Sequence, residues 1–593
     1  MGRWFMLLLM GTLGVWRGSF LEAAQVPEGK VLNNFVLELL NVSPLPSAHS
    51  LQYDFANPRD GWVFFTSTAQ VGKDARLAMA LDEEPRQEII VHTPGTPETR
   101  EAMRFLRAGK HRLRIFGEGR ASLQRLIVRS VPEILYCKLG YNPWVSRFGP
   151  YDWEFLQKHI LPQVNTIVGT GSKKHAPFAA EWKARGGKWM VECSVPGVSG
   201  RKPSLPLEEV YNVWARNPGF QDPLLDGVIA DEFLDRGKPH YPVWTAAIQR
   251  LAAEFPNKAF YPYFGGSQWL HTTEHGRTFV NAMIKLGFKL AWERYLPEQP
   301  TEAEAEAYIR RALKEATKAW AQTVPDLQRH LIVCLGVFSS FPLTLNHDPN
   351  VDFKVYLDMQ FHHLATDPAF RSLYGIMDWT SGYMDEETVR WLGKLYRHYC
   401  LEGKRTHLSE EYGFRYRTEH LRNPDFAVGL TGWSVTPAEE GSMEARQLEG
   451  YGWTQGRWPR TKKGDTFLWM KRSAHRPNRI AQDITNLEPG RLYALKFVTA
   501  DFQGLTQQKT EKALHALSIQ IEGAEPVPER SFQEVIATRT VRGQWLNYHW
   551  RVFRARSSQA RLVISDWASA TEPGGPIGQE LMLNFVELQP YLE

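Results

Sequence analysis

The chain has 593 residues, 43% of them hydrophobic and 23% charged, an ordinary globular composition that excludes wholesale disorder. Its 70 Lys and Arg against 65 Asp and Glu leave a net charge of +5. Over this length, and with no basic run to concentrate it, that is too little for a nucleic-acid binder. The length suits roughly four domains, or fewer if one is a large barrel.

The first residues follow the three-part plan of a secretory signal peptide: Arg3, an apolar run from Trp4 to Trp16, then the small residues Gly18, Ser19, Ala23 and Ala24. Residues 1–24 are expected to be cleaved after Ala23 or Ala24. The run is shorter than the roughly 20 residues that span a bilayer, and no other stretch could cross one. The expected location is therefore outside the cytoplasm: periplasmic, extracellular or on the cell surface. An uncleaved anchor is the alternative. Cys137, Cys193, Cys334 and Cys400 are widely separated, with no C-x-x-C, so the spacing predicts buried thiols or at most one disulfide rather than a zinc site.

Residues 27–130 predict a β-sandwich. Short strand-like runs at 61–66, 76–81, 88–92 and 111–115, with a less regular one at 123–129, are separated by turn formers at 93–97 and 107–110. The rhythm changes at 133–405. Apolar strand runs begin near residues 133, 165, 188, 226, 258, 288, 331 and 372, each followed by a helix-period segment. Eight such alternations in this length have the count and size of a (β/α)8 TIM barrel. An open doubly wound sheet is the competing arrangement, but its Gly-rich phosphate turn is absent after the first strand. The charged stretch 405–420 reads as a connector, and 422–593 returns to β character with seven of the 21 Trp.

A barrel of this kind carries its site at the C-terminal ends of its strands. Asp231 and Glu232 end the fourth strand, Glu293 the sixth and Asp378 the eighth; Glu192 lies on the third and is given no role. Tyr141, Trp292 and Trp379 fall at the same ends. Carboxylates among flat aromatic rings suit glycosidic cleavage, which needs an acid together with a nucleophile or base. Glu232 is read as the general acid/base, Glu293 as the nucleophile or second base, and Asp231 as the supporting neighbour of Glu232. Tyr141, Trp292, Asp378 and Trp379 are read as substrate-binding. Burial near Trp292 would help to separate the two pKa values. The two-strand offset of the pair favours the wider carboxyl spacing of inverting enzymes. The competing explanation for each acid is a rim ion pair, or for Asp378 a turn or cap.

At the C-terminus, Asn423-Pro-Asp-Phe426, Gly429-Leu-Thr-Gly-Trp433, residues 480–484, 487–493 and 583–587 together resemble CenC-type carbohydrate-binding modules. That resemblance implies a jelly-roll sandwich that binds polysaccharide, with Trp453 and Trp458, in a Gly-containing polar stretch, as its exposed stacking rings. The run Asp226-Gly-Val-Ile-Ala-Asp-Glu232 is similar to the strand-four acid motif of chitinase-like barrels, though one residue short. Acids on strands four and six also resemble alpha-galactosidase-like barrels, where both are usually Asp. No P-loop, Gly-x-Ser-x-Gly elbow or metal constellation is present in the sequence, so no cofactor or metal is expected. The leading expectation is an exported glycoside hydrolase. Its alternatives are a non-catalytic carbohydrate-binding protein with a degenerate barrel, and a different hydrolase or lyase on the same frame.

Overall fold

The computed structural model describes residues 29–43, 50–82, 87–198, 205–233, 240–265, 273–538 and 543–593. The signal-peptide reading of residues 1–24 lies outside them. Among the described residues no helix is long and apolar enough to cross a membrane.

Residues 30–131 form two antiparallel sheets, of five and four strands. Phe55, Val63, Phe65, Met79, Leu113 and Leu126 fill the space between them. Period two then sends Trp62 and Phe64 to the opposite face of the five-stranded sheet. There they join the core of the central unit, with Phe35 and Val131. The reading of 93–97 as a turn is corrected: a strand, Gly95–Leu106, begins inside it. This is the edge strand of its sheet. Pro97 is tolerated there because an edge N–H has no ladder partner to lose.

The centre is a closed barrel of eight parallel strands: Glu133–Cys137, Thr166–Gly169, Lys188–Ser194, Gly227–Asp231, Ala259–Phe264, Leu290–Arg294, Leu331–Gly336 and Gly375–Trp379. They are called barrel strands 1 to 8 below. Helices separate them, from Trp153–His159 after strand 1 to Glu386–Leu395 after strand 8. Most strand residues are buried because one face packs in the barrel and the other against helices, which is why the sequence shows continuous apolar runs instead of alternation. The four cysteines are unpaired; Cys137, Cys334 and Cys400 are buried and Cys193 half-buried.

Residues from Ser434 to Pro590 build sheets of four and six antiparallel strands. Leu468, Ile480, Leu495, Phe497, Leu562 and Leu583 form the core between them. The outer face of the six-stranded sheet is covered as well. Strand Leu492–Asp501 turns Leu495 and Phe497 inward. Its alternate residues Ala494 and Val498 belong to the same apolar cluster as the barrel. Phe148 of the barrel unit meets Phe532 and Trp550 at ring separations of 5.3 and 5.0 Å. Beside these contacts lies a buried ionic cluster. The Lys496 ammonium is 3.2 Å from Glu587, 3.4 Å from Asp385 and 3.7 Å from Glu387. Burial works against its charge, but the three carboxylates prevail and hold its pKa well above the usual lysine value. The last sheet is thereby docked onto the start of helix Glu386–Leu395.

Candidate active site

The site is assembled at the C-terminal ends of the barrel strands. Asp231 is the last residue of barrel strand 4, half-buried and aligned with Ser194 of barrel strand 3. Its carboxyl is pushed up to about 7 by burial first and then by the nearby charge of Glu192, with Lys138 acting in the opposite sense. The chain leaves the strand at Glu232, whose φ of 71° is left-handed. That conformation costs a non-glycine residue on the order of 1 kcal/mol. It carries Glu232 to an exposed position on the rim and lets Phe233 turn into the outer aromatic layer, 5.3 Å from Trp244.

Glu293, on barrel strand 6, is half-buried and also pushed up to about 7, by burial and then by the charge of Asp231, while a hydrogen bond from Tyr295 lowers it. The charge of Asp231 thus reaches Glu293 across the strand ends, while Asp231 itself is raised by Glu192 and Glu232. Gly265 makes room for Glu293: a Cβ at that position would sit 3.0 Å from the Glu293 Oε2. Tyr295 lies two residues beyond Glu293, on the same side of the extended chain. Its hydroxyl also hydrogen-bonds the Tyr263 hydroxyl from barrel strand 5.

Opposite these, the Lys138 Nζ donates to Glu192 Oε1 at 2.5 Å. The same ammonium lies 4.6 Å from the Tyr141 ring and 4.2 Å from the Trp379 ring. Trp379 stacks on Tyr263 at 5.0 Å. Tyr141 is 44% exposed, leaving ring surface for a ligand. Tyr141, Glu192, Ser194, Asp231 and Glu232 line an open cleft of about 350 Å³. Larger cavities of about 640 and 470 Å³ lie at the seams with the C-terminal and N-terminal sheets, away from these carboxylates.

Four sequence readings are corrected. Trp292 is 1% exposed and packs outward against Trp320 at 5.8 Å, because adjacent residues of a strand face opposite ways and Glu293 faces in. Asp378 is fully buried beneath the helix layer, where its Oδ1 accepts from the Cys137 N–H at 3.2 Å and the Tyr396 hydroxyl at 3.1 Å. Burial pushes its pKa well above the usual aspartate value, and with no exposed surface it presents nothing to the cleft. Trp453 and Trp458 are half-buried rather than exposed. Trp458 faces the barrel: its ring meets the Tyr295 ring edge-on at 6.0 Å. Lys138, Glu192, Tyr263 and Tyr295 join the site without having been expected there. Tyr295 alone had a local signal, its position two residues after Glu293.

Among the described residues no group of three His, Cys, Asp or Glu is placed to hold a metal ion. No family model and no curated protein matches the chain. Solved structures do show likeness. One is a Paenibacillus sp. cycloisomaltooligosaccharide glucanotransferase complexed with cycloisomaltoheptaose, at 9% identity over 92% of this chain and 72% of the other, with a TM-score of 0.34. Another is a chitinase domain from Pyrococcus furiosus, at 11% identity over 48% and 98%, with a TM-score of 0.30. A third is a carbohydrate-binding module complexed with β-1,4-galactotriose, at 14% over 29% and 97%, with a TM-score of 0.18. At TM-scores this low the likenesses fix neither fold nor chemistry.

Two consequences are measurable. Replacing Tyr295 by Phe removes a donor that favours the ionised form of Glu293, so the pKa of Glu293 should rise, by about one unit. The titration of the Glu293 carboxyl, followed by carboxyl-carbon NMR, should move to higher pH in that variant. The second concerns stability. Asp231 and Glu293 both hold protons more tightly in the folded chain than in the unfolded one. Stability is therefore lost as pH rises from about 4, the unfolded value, through about 7. Asp231→Asn removes one such group. Thermal scans should show the variant matching wild type near pH 4 and exceeding it near pH 8, by on the order of 2 kcal/mol.

Proposed function

We propose that the protein is a glycoside hydrolase whose reacting pair is Asp231 and Glu293, with Glu232 on the rim of the same cleft. The observation that carries this reading is the pair itself: two acids from barrel strands 4 and 6, each raised to about 7 and each raised in part by neighbouring acids. The charge of Asp231 holds the proton on Glu293, so the two groups lose their protons in two steps, leaving one acid and one carboxylate near neutrality. That is the protonation state glycosidic cleavage requires. Lys138 favours the ionised form of Asp231. Asp231 is accordingly assigned as the nucleophile or base and Glu293 as the acid that protonates the leaving oxygen. This assignment replaces the Glu232–Glu293 pairing read from the sequence.

The charge of the cleft narrows the substrate. Among the described residues Glu192, Asp231 and Glu232 line it and the charge of Asp231 reaches Glu293, against the Lys138 ammonium, while Arg294 is turned onto the outer ring of Trp292 at 4.8 Å. Among the described residues the carboxylates of the cleft outnumber its one ammonium, which favours an uncharged oligosaccharide or polysaccharide over uronic-acid and sulfated glycans, and the chain is exported to reach it. The central barrel is taken as a (β/α)8 TIM barrel over residues 133–405. It is flanked by sandwiches over 27–130 and 422–593, the second of the CenC-type jelly-roll kind.

The test is hydrolysis of a panel of neutral gluco-, manno-, xylo- and galacto-oligosaccharides in both anomeric linkages. Wild type should release reducing ends from one linkage class, and the Asp231→Asn, Glu293→Gln double variant should release none. Proton NMR of the first product shows whether Asp231 attacks directly or through a water. A double variant as active as wild type removes the pair from the mechanism.

A further inference from the structure

The carboxylates do not sit in an isolated barrel mouth. A train of aromatic contacts runs past them, from Tyr141 through the Lys138 ammonium to Trp379, then to Tyr263, Tyr295 and Trp458. The last of these rings belongs to the C-terminal sheets and not to the barrel.

The segment that carries Trp458 is clamped to the loop after barrel strand 7. The Thr344 N–H donates to the Gly456 carbonyl at 2.7 Å, and the Trp458 N–H to the Thr344 carbonyl at 2.9 Å. The His347 Nε2 bonds the Trp458 carbonyl at 2.8 Å, and the Arg457 Nη1 donates to the Asn346 carbonyl at 3.0 Å. His347 is buried and its pKa is pushed down to about 4 by desolvation, so the imidazole stays neutral and the contact holds across the physiological range. The approach is close enough to demand glycine: at Gly456, with φ 85°, a Cβ would fall 2.6 Å from the Pro342 carbonyl oxygen. The backbone that carries the indole is fixed firmly, and the half-buried ring rests with one edge on Tyr295, so its position is preorganised while part of its surface stays open.

We propose that Trp458 is a sugar-stacking platform of the barrel's own cleft, so that substrate bound at Asp231 and Glu293 extends onto the C-terminal unit. This inference rests on the reading of the cleft as a glycosidase site. It gives the C-terminal sheets a part in turnover itself. Tyr141 marks one end of the substrate path and Trp458 the other, with the reacting acids between them, so long oligosaccharides gain from both ends and short ones do not.

The test uses the full-length chain in the Asp231→Asn, Glu293→Gln background, which can bind without turning over. Calorimetry would follow neutral oligosaccharides of the linkage that wild type cleaves, from disaccharide to hexasaccharide. Trp458→Ala should weaken the longest ligand by about 10-fold, the scale of losing one aromatic anchor, and leave the shortest unchanged. Trp458→Phe should recover most of the loss. In the otherwise wild-type chain, Trp458→Ala should raise KM for long substrates more than it lowers kcat. If wild type cleaves but Trp458→Ala binds every length as tightly as its parent, the platform is wrong and the glycosidase reading stands. The platform is equally wrong if Trp458→Ala weakens all lengths by the same factor with a lowered melting transition, which marks a structural role. A wild-type chain that neither binds nor cleaves any oligosaccharide overturns both.

Discussion

Asp231→Asn and Glu293→Gln should each lower kcat by about 10²–10⁴-fold or more, the range for losing a positioned acid or base, with KM changed far less. The two variants should differ in a diagnostic way. An aryl glycoside with an acidic phenol leaves without help, so it should restore much of the rate of Glu293→Gln and none of that of Asp231→Asn. The reason is the division of labour inferred from their surroundings: Lys138 sits on the Asp231 side of the cavity and favours a carboxylate there. Both substitutions keep side-chain shape and remove only ionisation, and both remove a group that the folded chain holds against its solvation preference. The variants should therefore be folded and, above neutral pH, more stable than wild type, which separates lost chemistry from lost structure.

The largest effect on stability is expected at Lys496. Its side chain is 9% exposed and stands among Asp385, Glu387 and Glu587. Lys496→Met keeps the bulk and removes the charge, leaving three carboxylates buried at a seam where, among the described residues, the one other cation in contact is Lys354, 4.0 Å from Glu387. Breaking one partner out of a buried ionic cluster costs about 3–5 kcal/mol. In a chain of several units a single unfolding free energy is not well defined, so the observable is the transition of the C-terminal sheets, expected to fall by about 10 °C. Adding Glu587→Gln to Lys496→Met should return part of the loss, because one of the orphaned charges is gone. Since Trp458 reaches the cleft only while this seam is closed, Lys496→Met should also lose activity on long oligosaccharides before it loses bulk secondary structure. Superimposable melting curves for wild type and Lys496→Met would remove the cluster from the docking account.

The barrel was legible because its strands are buried on both faces and alternate with helices, so each appears as a short apolar run between turn formers. The strand Gly95–Leu106 was not, because an edge strand with one wet face begins Gly-Thr-Pro-Glu-Thr and carries almost no apolar signal over its first half. Within the site, parity along a strand decides more than residue type. Glu293 and Tyr295 share a face, which places Trp292 among the helices, and the same alternation puts Trp379 in the barrel and Asp378 outside it. Parity fails at Asp231 and Glu232, since the left-handed backbone at Glu232 breaks the extended pattern where the choice has to be made. The Lys138–Glu192 pair joins residues on different strands, and the seating of Trp458 beside Tyr295 depends on the docking of two units. No local spacing carries either one.

The pH dependence of kcat/KM distinguishes a reacting pair of Asp231 and Glu293 from any other arrangement of the cleft's acids. Wild type acting on its neutral oligosaccharide should give a bell, with an acid limb from ionisation of Asp231 and an alkaline limb from loss of the Glu293 proton, the two limbs straddling about pH 7. Glu293→Gln assayed on an activated aryl glycoside should keep the acid limb and lose the alkaline one. An alkaline limb that persists unchanged in Glu293→Gln would contradict the assignment of Glu293 as the acid, and with it the pairing of Asp231 and Glu293 in a single cleft.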